Sequence, residues 1–144
     1  MTYEQTMEYI HSTLRFGSKP GLSRIRALME ALGNPQKCLR FVHITGTNGK
    51  GSTTMMVANA LREAGYKVGV FISPYVDDFR ERIQVDGRMI PKEDLAAQLE
   101  KLLPCIEAIK EAGHTHPTEF EIITALALSY YHDTNCDIVA LEVG

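Results

Sequence analysis

One segment constrains the fold of this chain more than any other: Gly-Thr-Asn-Gly-Lys-Gly-Ser at residues 46–52. An apolar run at residues 41–44 precedes it, and a run with helical spacing begins near Ser52. Small residues between a strand and a helix let backbone N–H groups turn inward on a polyphosphate, while the helix N-terminus and the Lys50 ammonium add positive charge. The segment therefore predicts a phosphate-binding loop for a nucleoside triphosphate.

The loop departs from the usual P-loop spacing, G-x-x-x-x-G-K-[ST], in two places. The first glycine of that pattern falls at Ile44, and an additional glycine, Gly51, separates Lys50 from Ser52. A simple turn requires neither a lysine flanked by glycines nor two hydroxyls after it, here Ser52 and Thr53. The interpretation as a variant phosphate loop is therefore favoured.

Composition excludes several classes of protein. The 144 residues, 44% hydrophobic and 23% charged, have globular composition and a length that suits one domain. The net charge of −3, without a cluster of basic and aromatic residues, argues against a nucleic-acid partner. No apolar run approaches the roughly 20 residues of a membrane helix and no signal peptide is visible, so we expect no membrane partner and a cytoplasmic location. Cys38, Cys105 and Cys136 are expected to be reduced and buried.

Apolar periodicity predicts an α/β fold, a P-loop-type parallel sheet with flanking helices. The helix after the phosphate loop lies between two predicted strands and completes a βαβ unit. Such units place phosphate loops at the carboxyl ends of strands, so the strand that ends near Ser73 is expected to reach the same edge as Lys50. The predicted strands are residues 40–45, 68–72 and 138–143, the first and last of them buried, and the helix is predicted to bury Met56, Val57, Ala60 and Leu61.

Further helices and one hairpin complete the prediction. Capping boxes begin the first helix at Thr2 and the last at Thr118, and residues 83–90 alternate around an Asp-Gly turn typical of a hairpin. A long helix over residues 92–112 contains Pro104, which is expected to kink or split it. The other predicted apolar faces are Met7, Ile10 and Leu14, then Leu22, Ile25, Leu28, Met29 and Leu32, and finally Ile122, Ile123, Leu126, Leu128 and Tyr130.

Oxygen-bearing side chains at the predicted strand ends suggest a magnesium site. Glu142 lies in an apolar strand, where an unpaired carboxylate is costly to bury, so the Mg²⁺ that accompanies ATP is the favoured partner. An edge position that meets water or an arginine is the alternative. Ser52 is preferred over Thr53 as a hydroxyl ligand, although either suits a helix cap. Ser73 either faces the same cleft or only begins a loop, and the sequence leaves both open.

Other polar residues carry less information. The segment at residues 79–82 supplies charges for an anionic substrate, but a solvated ion pair is favoured. His114 and His116 have metal-like spacing without a third ligand, so a surface loop is favoured. His43 is expected to be a packed, hydrogen-bonded side chain.

Taken in order, these segments resemble the folylpolyglutamate synthase and dihydrofolate synthase family of the Mur ligase superfamily. The resemblance covers the whole chain, and its phosphate-loop signature with the additional glycine is highly specific. The segments that carry it are residues 21–25, 42–52, 73–74, 81–83, 117–121 and 141–144.

The resemblance implies an ATP-dependent ligase that joins L-glutamate to a folate or to dihydropteroate. ATP would phosphorylate the substrate carboxylate, and the amine of glutamate would attack the acyl phosphate. Lys50 would act as the catalytic cation that stabilises the transferring phosphoryl group, which Mg²⁺ would align.

The resemblance also implies which residues bind each ligand. ATP would be held by Thr47, Asn48, Gly49, Lys50, Gly51, Ser52 and Thr53, and Mg²⁺ by Ser52, Ser73 and Glu142. The folate or dihydropteroate would be held by Ser18, Lys19, Pro20, Pro74, Tyr75, Thr118 and Phe120, with Arg82 as a further candidate. Tyr75 stands where many relatives have histidine, and its ring suits stacking on a pterin.

The family continues beyond the segments present in this chain, into a glycine-rich loop, a histidine, a modified lysine and a second domain. Residues 1–144 are therefore expected to form the N-terminal part of an incomplete Mur-ligase-like ATP-binding domain that cannot complete ligation alone. An open sheet edge at residues 138–143 is expected to favour self-association. The alternatives are another Mur-type amide ligase and a non-catalytic nucleotide-binding fragment.

Overall fold

The computed structural model describes residues 1–46, 49–73 and 77–142. The chain divides into two compact units, one formed by Met1–Gln36 with Lys92–Tyr130 and the other by Lys37–Pro91 with Tyr131–Gly144. The first unit is helical and the second contains the sheet. Within the described ranges, no helix is long and apolar enough to cross a lipid bilayer.

The described part of the chain contains α-helices, β-strands and three short 3-10 turns. The helices are α1 (Tyr3–Ser12), α2 (Ser23–Ala31), α3 (Lys50–Glu63), α4 (Lys92–Glu111) and α5 (Glu119–Asp133). The strands are β1 (Arg40–Ile44), β2 (Val68–Phe71), β3 (Ile83–Val85), β4 (Arg88–Met89) and β5 (Ile138–Glu142). The 3-10 turns are Thr13–Phe16, Pro35–Cys38 and Phe79–Arg82.

The helical unit is organised around α4, which contacts both α1 and α2. Apolar side chains recur at three- and four-residue spacing along α4, so one continuous face of this helix is buried. The core residues are Leu95, Leu99, Leu102, Ile106 and Ile109 of α4, Ile10 of α1, and Leu28 and Met29 of α2. The predicted face of α2 is thus confirmed at its centre.

Pro104 does not split the long helix. Helix α4 is continuous from Lys92 to Glu111, and Pro104 lies on its exposed side. The hydrogen bond that proline cannot donate is therefore lost where water can satisfy the carbonyl group. The predicted split is wrong because the buried face continues unbroken past this position.

Both predicted capping boxes are confirmed, but the apolar face predicted for the first helix is wrong at its end. Thr2 Oγ1 accepts from Gln5 N at 3.1 Å, and Gln5 Oε1 accepts from Thr2 N at 2.9 Å. Leu14 is exposed because α1 ends at Ser12 and the following 3-10 turn changes the direction of the side chains. Thr13 is buried instead of Leu14, and the Thr13 hydroxyl donates to the carbonyl of Ile10 at 2.5 Å.

The sheet has the strand order β1-β5-β2-β3-β4. Strands β1, β5 and β2 are parallel, and β3 and β4 are antiparallel. Strand β5 lies inside the sheet, so the predicted open edge at residues 138–143 is wrong. The edge of the described sheet at this side is β1, which explains why Arg40 and His43 are exposed and only Ile44 is buried. The predictions of a buried first strand and of a packed His43 are therefore also wrong.

The face predicted for helix α3 is right at Leu61, which packs against the core, but wrong at Met56 and Ala60. Met56 is 72% exposed and Ala60 is also exposed, whereas Thr54 and Ala58 are buried. Thr54 is tolerated in the core because its hydroxyl donates to the carbonyl of Lys50 at 2.7 Å. A prediction that counts only apolar residues misses this threonine and so misplaces the helix face. The core around Ala58 comprises Ile44, Val68, Val70 and Ala140, with Met55 and Leu61 packed against it.

The predicted hairpin is confirmed. Strands β3 and β4 pair around Asp86 and Gly87, whose φ values of 50° and 79° are those of a two-residue type I′ turn. Asp86 also ties this turn to β2, because its Oδ1 accepts from Val68 N at 2.9 Å and its own N–H donates to Val68 O at 2.9 Å.

Replacing Asp86 with alanine is expected to lower the free energy of unfolding by about 1–2 kcal/mol, since a buried N–H loses its acceptor and alanine is strained at positive φ. Urea denaturation measures the change. Asp86→Asn is the matched control, because asparagine keeps an acceptor and tolerates this backbone conformation. A variant Asp86→Ala as stable as the unmodified chain would show that the tie to β2 is unimportant.

The cysteines differ in exposure. All three are free thiols, but only Cys136 is buried, while Cys105 is partly exposed and Cys38 is exposed. Burial raises the pKa of the Cys136 thiol. The prediction that all three are buried is wrong for Cys38, which ends a 3-10 turn just before the edge strand β1.

Candidate functional site

Three parallel strands bring several of the predicted site residues to one edge of the sheet. Ile44 of β1 is paired with Glu142 of β5, and Phe71 of β2 is paired with Leu141. The chain continues from β1 towards the phosphate loop and from β2 to Ser73. The register therefore places the strand ends that lead to Lys50 and Ser73 beside the strand that carries Glu142.

Glycines shape the described part of the phosphate loop. Gly46 and Gly49 have φ values of 142° and 72°, which side-chain-bearing residues rarely adopt. Gly49 precedes α3, and no described side chain caps the first turn of this helix. Its N–H groups and the positive end of the helix dipole are therefore available to an anion. Thr47 and Asn48 lie outside the described residues.

Lys50 is the first residue of α3 and is partly buried. Its Cγ lies 3.9 Å from the position that a Cβ on Gly46 would occupy, so the aliphatic part of the side chain packs over the beginning of the loop. Ser52 and Thr53, in the first turn of α3, are both exposed. This arrangement puts one cation and two hydroxyls around a helix N-terminus that no described side chain caps.

The predicted magnesium ligands are a carboxylate and two hydroxyls, which are the hard oxygen donors that Mg²⁺ prefers. Glu142 is partly buried and lies on an interior strand, so the alternative of an edge position is wrong. Ser73 is exposed just beyond β2, and Ser52 is exposed at the start of α3. The donor chemistry fits Mg²⁺ with water completing the coordination, and the assignment of these three residues stays a prediction.

The segment at residues 79–82 does not form the solvated ion pair that the sequence favoured. Asp78 begins this turn, and its carboxylate accepts from Arg80 at 2.8 Å in a partly buried ion pair. Arg82 is buried, with its guanidinium 5.6 Å from the centre of the Phe79 ring. The carbonyl of Arg82 accepts a hydrogen bond from the N–H of Ile72 at 3.1 Å, and Ile72 is the residue immediately before Ser73. Arg82 therefore lies close to the end of β2, whereas Pro74 and Tyr75 lie outside the described residues.

The helical unit contains a separate cavity of about 390 Å³. Four of the residues proposed for the organic substrate line it: Ser18, Lys19, Thr118 and Phe120. Phe120 is 58% exposed, which is unusual for a large aromatic side chain. Pro20 is exposed and does not line this cavity.

Sequence reasoning missed several residues of the cavity wall. Leu22 and Ile25 were assigned to the buried face of α2, but Leu22 precedes the helix and is 59% exposed beside the cavity. Glu121 was recognised only as part of a capping box. A leucine next to Gly21, just before a helix begins, is the signal that could have identified this wall.

His116 packs instead of binding a metal. Its ring stacks on Phe16 with the ring centres 4.2 Å apart, and Tyr9 Oη lies 3.2 Å from its Nε2. Among the described residues, no group of three or more histidine, cysteine or acidic side chains is arranged to hold a metal ion. The two histidines lie in the loop between α4 and α5, and His116 is held there by packing.

Together, the parallel strands β1, β5 and β2, the glycines Gly46 and Gly49, and Lys50 at the beginning of α3 are the features of a P-loop-type α/β fold. The predicted fold class is confirmed. No protein-family model matches the chain.

Comparison with known proteins gives a more specific result. The chain is 45% identical over 143 residues to the dihydrofolate synthase/folylpolyglutamate synthase of Bacillus subtilis, and the match covers 99% of this chain and 33% of the relative. It is similar to the folylpolyglutamate synthetase from Lactobacillus casei, with a TM-score of 0.93, 39% identity, and coverage of 100% of this chain and 36% of the other. It is also similar to a solved FPGS–AMPPCP–folate complex, with a TM-score of 0.89, 38% identity, and coverage of 100% and 35%.

The chain is therefore homologous to folylpolyglutamate and dihydrofolate synthases. It spans between 17% and 34% of the length of the curated relatives it matches.

Proposed function

We propose that this chain is the N-terminal part of the ATP-binding domain of a ligase that joins L-glutamate to a folate or to dihydropteroate. The observation that carries the proposal is the Lys50 phosphate loop at the carboxyl edge of the parallel sheet, in a chain 45% identical to such a synthase. The solved relative with both AMPPCP and folate supports it, since AMPPCP is an analogue of ATP. With folate metabolism as its role, we expect a cytoplasmic location.

In the proposed reaction, this chain contributes positioning and electrostatic stabilisation. The loop amides and the Lys50 ammonium hold the phosphates and stabilise negative charge as the terminal phosphoryl group moves to the substrate carboxylate. Ser52, Ser73 and Glu142 would hold Mg²⁺, which neutralises phosphate charge when bound. The resulting acyl phosphate is open to attack by the glutamate amine, and phosphate leaves as the amide bond forms.

The cavity of the helical unit is proposed to hold the pterin end of the organic substrate. The exposed ring of Phe120 offers a stacking surface for a flat heterocycle, and Leu22 adds apolar contact. Thr118 and Ser18 supply hydroxyls, and Lys19 supplies a cation. Pro74, Tyr75 and Arg82 are proposed as further substrate contacts.

The substrate assignment is tested by titrating the 144-residue chain with pteroic acid and following ligand fluorescence. Replacing Phe120 with alanine is expected to weaken binding about tenfold, because loss of a stacking surface costs on the order of 1–3 kcal/mol. Leu14→Ala is the matched control, since Leu14 is similarly exposed in the same unit but does not line the cavity. Equal affinities for the two variants would contradict the assignment, and preferential binding of a nucleotide-linked muramyl acid would indicate a cell-wall ligase instead.

A further inference from the structure

We propose that Arg24 and Glu121 act together as positioning residues for the substrate cavity of the helical unit. This inference rests on the proposed function, because it takes that cavity as the pterin site. Neither residue is proposed to touch the reacting atoms. Their role is to hold two walls of the cavity in the arrangement that the ligand requires.

The two side chains form a nearly buried ion pair between α2 and α5. Arg24 Nε donates to Glu121 Oε1 at 3.0 Å, and the side chains of the pair are 11% and 10% exposed. Arg24 Nη2 also donates to the carbonyl of Lys19 at 3.2 Å. One guanidinium group therefore connects the beginning of α5 to the loop before α2.

Glu121 fixes the second wall through the same carboxylate oxygen. Its Oε1 accepts from Thr118 N at 3.0 Å and from Thr118 Oγ1 at 3.3 Å, in addition to Arg24. The N–H of Glu121 in turn donates to Thr118 Oγ1 at 3.2 Å. Thr118 and Phe120, which both line the cavity, are thus attached to a carboxylate that Arg24 holds in place.

Glycines flank the loop that carries Lys19. Gly17 and Gly21 both have positive φ, a conformation that residues with side chains rarely adopt. The Lys19 ammonium lies 5.4 Å from the centre of the Phe16 ring, and this ring also stacks with the ring of His116. The hydrogen bond from Arg24 to the Lys19 carbonyl adds the tie to α2.

Stability alone does not explain this pair. A helix cap needs the threonine and a glutamate or glutamine, but it needs no arginine. A buried ion pair often contributes no more stability than apolar side chains of the same size, because both charges lose their hydration. A pre-arranged cavity, in contrast, lowers the conformational cost of binding. The pair therefore fits a function in ligand positioning better than one in folding.

A double-mutant cycle on the 144-residue chain tests the proposal, with pteroic acid as the probe. Glu121→Gln keeps the capping interaction but removes the charge, and Arg24→Met removes the guanidinium at similar length. We expect Arg24→Met to weaken binding about tenfold, and the double variant to bind no more weakly than this single variant, because both act through one contact. Hydrogen exchange of the amides at residues 17–22 is expected to accelerate in the Arg24→Met variant and in the double variant. Arg26→Met, an exposed arginine on α2, is the matched control and is expected to bind like the unmodified chain.

The outcomes separate this inference from the proposed function. If the unmodified chain binds pteroic acid and Phe120→Ala loses binding, but Arg24→Met only lowers the melting temperature, the positioning role is wrong and the cavity assignment stands. Additive effects in the cycle would equally overturn the inference. If the unmodified chain binds no pteroic acid, both fail. Should Arg24→Met not fold, Arg24→Lys replaces it in the cycle, since lysine lacks the rigid planar set of N–H donors with which Arg24 contacts Glu121 and the Lys19 carbonyl together.

Discussion

Replacing Lys50 with alanine is expected to weaken the binding of Mg·ATP by about 30- to 150-fold. The ammonium of Lys50 is the cation at the start of α3, and its side chain packs over Gly46 at the entrance of the loop. A hydrogen bond to a charged partner contributes on the order of 2–3 kcal/mol, which corresponds to this change in the dissociation constant. The loop amides and the helix N-terminus remain in the variant, so some binding should persist.

Isothermal titration calorimetry of the 144-residue chain measures this effect directly. Lys37→Ala is the matched control, because Lys37 is an exposed lysine of the same unit outside the loop. The control is expected to bind Mg·ATP like the unmodified chain, which separates a local contact from a general effect of net charge. If both variants bind equally well, Lys50 does not contact the phosphates. If the unmodified chain binds no nucleotide, the nucleotide-binding role fails for this chain.

The parts of the fold that depend on residues close together in the sequence were predictable. The capping boxes at Thr2 and Thr118, the Asp86–Gly87 turn and the strand–loop–helix around Lys50 each depend on a few consecutive side chains. Their hydrogen bonds are local, so the pattern of residue types determines them. The same applies to the parallel arrangement, which follows from a helix between two strands.

Two of the incorrect predictions show different causes, a pairing between distant strands and a polar residue buried within a helix. The central place of β5 depends on pairing with β1 and β2, and no local pattern specifies which strand lies at the edge. The buried face of α3 includes Thr54. This residue can be buried because its hydroxyl donates a hydrogen bond within its own helix. Apolar counting cannot detect such a residue.

The candidate sites show the same division. Lys50 was predicted from a short segment of sequence, and Phe120 was predicted from the family resemblance. The contact between Arg24 and Glu121 joins residues 97 positions apart, so it becomes visible only in the folded chain. The structure therefore adds most to the cavity of the helical unit, where residues from α2 and α5 meet.

Replacing Gly69 with alanine is expected to lower the free energy of unfolding by about 1–3 kcal/mol, because the core has no room for the added methyl group. A Cβ at this position would lie 2.7 Å from Cδ1 of Tyr131 and 3.0 Å from its Cγ and Cε1. The ring is fully buried, and its hydroxyl donates to the carbonyl of Val70 at 2.5 Å, so it cannot move aside easily. Strand β2 is itself fixed by pairing with β3 and β5 on its two sides. Glycine is therefore required here for close approach of a ring and not for backbone freedom.

Urea denaturation of two glycine variants separates these effects, because the same substitution should change stability in opposite directions. Gly51 lies inside α3, has no atom within 4 Å of an added Cβ, and does not have positive φ. Gly51→Ala is therefore expected to raise the free energy of unfolding by about 0.5–1 kcal/mol through helix propensity. The general benefit of alanine over glycine acts at both positions, so a loss at Gly69 must come from steric conflict with Tyr131. If Gly69→Ala were as stabilising as Gly51→Ala, the ring would have room to move, and the close contact would not restrict this position.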